Sequence, residues 1–82
     1  MRFHFQVRTP THVLLTEAAD LDGFDAARLE APRRVAALLN EHAGQLWRDE
    51  EWQMDVTDDD GLILFVIQIS VIRSPAAPEA RA

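Results

Sequence analysis

The segment Gly61 to Ile72, Gly-Leu-Ile-Leu-Phe-Val-Ile-Gln-Ile-Ser-Val-Ile, limits the fold more than any other part of the chain. Its β-branched content predicts a strand. It is shorter than the roughly 20 apolar residues that a membrane-spanning helix requires. Successive side chains of a strand point to opposite faces, so a half-buried strand alternates apolar and polar residues. This segment does not alternate. Leu62, Leu64 and Val66 share one face; Ile63, Phe65, Ile67, Ile69 and Val71 share the other. A strand that is apolar on both faces needs cover on both. The rest of the sequence predicts one long helix, which covers one face. The expectation is that a second protein chain covers the other, with Ile63, Phe65, Ile67, Ile69 and Val71 as the interface.

The remaining elements read in order. Phe3, Phe5 and Val7 alternate with Arg2, His4, Gln6 and Arg8, the pattern of a half-buried strand. Thr9-Pro10-Thr11 is a turn, because Pro10 fixes φ and lacks a ladder donor. His12 to Thr16 predicts a second short strand, and Glu17 to Gly23 a polar connection. A helix starts near Phe24, with Asp22 or Asp25 as cap. Phe24, Ala27, Ala31, Val35, Leu38 and His42 form its apolar stripe. Pro32 falls inside the stripe without breaking its phase, which predicts one kinked helix rather than two pieces. Gly44 is the expected stop, and Gln45 to Glu51 the expected charged connector. Trp52, Met54 and Val56 alternate as a third strand. Asp58-Asp59-Asp60-Gly61 is a hairpin turn into the apolar fourth strand.

These readings give an α+β fold, β-β-α-β-β, with a four-stranded antiparallel sheet and a single helix on one face. The first and fourth strands are expected at its centre. Residues 1–73 form one domain, and the Pro- and Ala-rich residues 74–82 a disordered tail. A chain of 82 residues has a small core, and oligomerisation is a common supplement.

Composition narrows the function classes. The net charge is −6, which opposes broad binding to phosphate backbones. Arg2, Arg8, Arg28, Arg33 and Arg34 are best read as solvated-face residues. No cysteine is present, so disulfides and thiolate metal sites are excluded. Met1-Arg2-Phe3-His4-Phe5 carries no secretory pattern, which predicts an intracellular, cytoplasmic protein. His4, His12 and His42 lie on separate elements and match no metal-ligand spacing. The aspartates at 55, 58, 59 and 60 lack the spread and closing Glu of a calcium loop. Ser70 and Ser74 occupy no nucleophile elbow. Gly23, Gly44 and Gly61 build no phosphate loop. No catalytic, metal or cofactor residue is therefore assigned, and the chain is not expected to be an enzyme. Trp52 is placed in the core and Trp47 near an edge.

Three stretches carry a resemblance: Phe3-His4-Phe5-Gln6-Val7-Arg8, the helix start Leu21-Asp22-Gly23-Phe24-Asp25-Ala26-Ala27-Arg28-Leu29-Glu30-Ala31, and Trp52-Gln53-Met54-Asp55-Val56-Thr57-Asp58-Asp59-Asp60-Gly61. Together they resemble a family of small, mainly alphaproteobacterial proteins known as a domain of unknown function, number 6894 in its series. The resemblance implies the fold and no activity. Thr9-Pro10-Thr11 and Pro32 depart from the family pattern, and the last strand is longer and more apolar.

The leading functional expectation is a non-enzymatic interaction module, a homodimer or a binder of another protein, using its last strand. One alternative is an antitoxin-like regulator linked to nucleic acid, on a weak analogy of fold with antitoxins of the HicB type. The other is a small-ligand sensor with a pocket between sheet and helix.

Overall fold

Phe3, Phe5 and Val7 point to one side of the first strand, β1 (Arg2–Arg8), and all three are fully buried. Trp52, Met54 and Val56 do the same on β3 (Glu51–Thr57). These two strands lie side by side in the computed structural model, which describes residues 1–76. The full order is β1, β2 (Val13–Asp20), α1 (Phe24–Glu41), α2 (Ala43–Asp49), β3 and β4 (Ile63–Ser70). The four strands form one antiparallel sheet in the order β2-β1-β3-β4.

The α+β architecture and the antiparallel sheet are as expected from the sequence. Three details differ. First, the described residues form two helices, not one. α1 ends at His42, whose N–H donates to the Leu38 carbonyl at 2.9 Å. With φ −130° and ψ 35°, His42 leaves the helical conformation, and the chain re-enters a helix one residue later. Gly44 therefore lies inside α2, and the stretch expected as a connector carries Leu46 into the core.

Second, the central strands are β1 and β3, and β4 is an edge. Apolarity on two faces argued for a central position, but strand order follows which partners close the ladder. Third, β2 extends to Asp20 through the stretch expected as a polar connection. Its length is set by β1, whose register runs from Arg2↔Asp20 to Val7↔Leu15 and shifts before Arg8↔Val13. The polar residues in this extension are paired: Glu17 with Arg34 at 3.2 Å and Asp20 with Arg2 at 3.7 Å.

α1 covers the face made by Phe3, Phe5, Val7, Trp52, Met54 and Val56, presenting Ala27, Ala31, Val35 and Leu38. Phe24 and His42, expected on the same stripe, are exposed. α1 starts after Gly23, which makes no side-chain cap; Asp25 sits in the first turn and pairs with Arg28 at 3.1 Å. Pro32 lies within an unsplit helix. It is exposed, so the Arg28 carbonyl that it leaves without a helical donor is on the wet side.

Both turns are as read. Thr9 Oγ1 accepts from the backbone N–H of Thr11 and of His12, each at 3.1 Å. Asp58 Oδ1 accepts from the N–H of Asp60 and Leu62, and Gly61 takes φ +83°. Of the expected tail, residues 77–82 lie outside the described residues.

Candidate functional site

Among the described residues the fold leaves open the helix-free face of the sheet and its two edges, β2 and β4. On the open face the side chains form a polar chain across three strands. Gln68 Nε2 on β4 donates to Glu51 Oε1 and Gln53 Oε1 on β3, at 3.2 and 3.3 Å. Gln53 Nε2 donates to Asp55 Oδ1 at 2.9 Å, and Arg8 on β1 reaches Asp55 Oδ2 at 3.4 Å. Asp55 is buried, at 7% exposure, although no helix covers it. Its carboxylate is matched by these two partners, as burial of a charge requires.

At the end of the same face, His4 Nε2 donates to Asp59 Oδ1 at 2.7 Å, tying β1 to the β3–β4 turn. A cleft between them is bordered by Gln6, Thr16, Thr57 and Ile63. A second lies beside Arg8, Pro10 and Glu51. Both lie away from the interval between sheet and helices that a buried ligand pocket would occupy. Among the described residues no group of three or more potential metal ligands comes together. Arg2, Arg8, Arg28 and Arg34 each face a carboxylate rather than forming a basic patch. Arg34 also stacks over Phe5 at 4.7 Å; its Nε, 3.2 Å from Glu30, makes an ion pair without hydrogen-bond alignment.

The β4 edge is apolar and uncharged. Its sequence, Ile-Leu-Phe-Val-Ile-Gln-Ile-Ser, contains no charge, proline or glycine. β3 pairs along one side; among the described residues no strand pairs along the other. The five residues singled out from the sequence divide here. Phe65, Ile67, Ile69 and Val71 lie on the helix side, half-buried against the core, opposite Val56, Met54 and Trp52. They are not the outward strip that the alternation alone implied. Ile63 is outward and 54% exposed. The cause is a bulge: Val56 pairs with Phe65, but Thr57 pairs with Ile63. The extra residue turns Leu64 toward the core and Ile63 to the open face.

The open side of this edge is formed by Leu62, Ile63 and Val66, which are 63%, 54% and 49% exposed. On the helix side Phe24 meets the Phe65 ring edge-on at 6.4 Å, and Arg28 lies 5.5 Å over it. Val66 was not singled out from the sequence, though its place on the minor apolar face was the available signal.

A model of the family described as "Domain of unknown function (DUF6894)" matches residues 2–70. The chain belongs to the DUF6894 family. The match covers all six secondary-structure elements and stops at the end of β4. No curated protein and no solved structure matches the chain. Membership in DUF6894 thus supplies no activity, and function has to be argued from the surfaces just described. Among the described residues no helix is long and apolar enough to cross a membrane.

Proposed function

We propose that this DUF6894 chain is a non-enzymatic interaction module that associates with protein through the free edge of β4. One observation carries the reading: among the described residues the eight residues of β4 form an edge strand with no charge and no proline, protected only by the bulge at its Ile63 end. Natural sheets blunt exposed edges with charges, proline or short strands, because unpaired N–H and C=O groups otherwise recruit another strand. The opposite edge, β2, carries Glu17 and Asp20. Among the described residues, charges guard the β2 edge and none guard the β4 edge.

The mechanism is strand addition. The incoming strand takes the unpaired backbone groups of β4, and its side chains cover Ile63 and Val66 on one face and the exposed parts of Ile67 and Ile69 on the other. Backbone hydrogen bonding supplies the attachment, and apolar burial most of the free energy, at roughly 25 cal/mol per Å².

Placing a charge on this edge tests the reading. Val66→Lys adds a solvated ammonium at a half-exposed position, so the fold should survive. In extracts of the native cell, the wild-type chain should elute in a complex, with itself or another protein, and the variant alone. Identical elution of the two would contradict the proposal.

A further inference from the structure

The proposal that β4 is an interaction edge leaves its occupant open; resting on that reading, we infer that the occupant is a second copy of this chain, its β4 antiparallel to the first with Gln68 on the two-fold axis. The argument starts from charge. Two copies of a chain with net charge −6 repel over most of their surfaces. Gly61 to Ile72 is free of charge, so two copies can meet there without juxtaposing like charges. Closure points the same way. Pairing β4 with the β2 edge of the next copy would be head-to-tail and would propagate into a filament, whereas β4 on β4 is self-complementary and closes as a dimer. The β2 edge, by contrast, carries Glu17 and Asp20, charged side chains that a second β2 would have to accommodate.

The register follows from side-chain parity. Directly opposed residues in an antiparallel pair share a face, so the axis must pass through a residue position. The bulge removes Ile63 from the helix side and leaves Phe65, Ile67, Ile69 and Val71 there. Those four residues are symmetric about position 68, and the bulge residues Ile63 and Leu64 lie beyond the matched stretch. With Gln68 opposite Gln68, Phe65 meets Val71 and Ile67 meets Ile69 of the other copy, and each half-buried side chain gains an apolar neighbour. Moving the axis to position 67 would set half-buried Val71 against outward-facing Ile63. Beyond the matched stretch, the chosen register carries the segment after β4 of each copy, with Arg73, toward the Asp58-Asp59-Asp60 turn of the other. The product is an eight-stranded sheet with both helix layers on one side and, on the other, two polar faces that meet across the apolar side chains of Ile63 and Val66.

The chain has no cysteine, so single substitutions report the register without background. Opposed residues have Cα atoms about 4.5–5.5 Å apart, within reach of a disulfide. Gln68→Cys, at an exposed position, should therefore convert most of the full-length chain to a disulfide-linked dimer under mild oxidation. Val66→Cys should stay single on the same non-reducing gel, because four positions of offset separate the two thiols by roughly 13 Å. Cross-linking by Val66→Cys, alone or as well as by Gln68→Cys, overturns this register. If neither variant cross-links while the wild type scatters as a dimer, the register with Gln68 on the axis is overturned, and pairing of β4 with β4 is overturned as well if Val66→Lys still scatters as a dimer. A wild type that stays monomeric at every concentration overturns the second copy as occupant; the wider reading of β4 is then decided separately by Val66→Lys in cell extract.

Discussion

Gly61 shows how much of this fold is decided one residue at a time. It takes φ +83° at the end of the β3–β4 turn, in a conformation that costs a residue with a side chain about 1–2 kcal/mol. A methyl group added there would meet no atom within 4 Å, so the cost is backbone strain alone. Gly61→Ala should therefore lower the unfolding free energy in urea by about 1 kcal/mol without changing the m-value; an unchanged midpoint would contradict the turn geometry. The Asp-Gly pair announced this turn in the sequence, as alternation announced the burial of Phe3, Phe5, Val7, Trp52, Met54 and Val56. The facing of Ile63 was not legible. A bulge adds one residue to one strand, and nothing in the alternation of β4 marks where its partner has lost step.

At the scale of elements, Pro32 is the most testable oddity. It interrupts the hydrogen-bond ladder of α1 at an exposed position, and a proline in a helix interior costs about 3 kcal/mol relative to alanine. Pro32→Ala should restore a donor for the Arg28 carbonyl and raise stability by about 1–3 kcal/mol, read as an increase in melting temperature. A lower melting temperature would mean that the proline ring makes a contact worth more than the missing bond. The phase of Ala27, Ala31, Val35 and Leu38 made α1 legible across this proline. α2 was hidden because seven residues give fewer than two full periods and only Leu46 is buried. The extension of β2 was hidden for a different reason: its pairing with β1, not its own alternation, keeps Glu17 to Asp20 extended.

For the whole molecule, strand order decides what the protein can do. A sequence records which faces are apolar, but not which strands lie beside which, since pairing is set by long-range closure of the ladder. The two-faced apolarity of β4 was legible, but its place in the sheet was not: among the described residues it is an edge, so its unpaired groups lie alongside the strand, in the plane of the sheet, rather than over its face. The order β2-β1-β3-β4 leaves an edge with charged residues at one end of the sheet and an uncharged one at the other. This asymmetry favours a closed pair over an open polymer. The association should depend little on salt, because the contact joins uncharged strands and only its two ends carry opposed charges. Raising the ionic strength should leave the dissociation constant within a few-fold and screen the repulsion between the two acidic bodies; a steep weakening would point to an ionic interface elsewhere on the surface.

Light scattering across a concentration series, on the wild-type chain and on Val66→Lys, tests the central claim most directly. The account predicts that the wild type reaches twice the 9.3 kDa chain mass as concentration rises, while the variant stays at 9.3 kDa throughout. A variant that dimerises as the wild type does would show that the chain associates through a surface other than the β4 edge, and a wild type fixed at 9.3 kDa would show that β4 does not pair with its own copy.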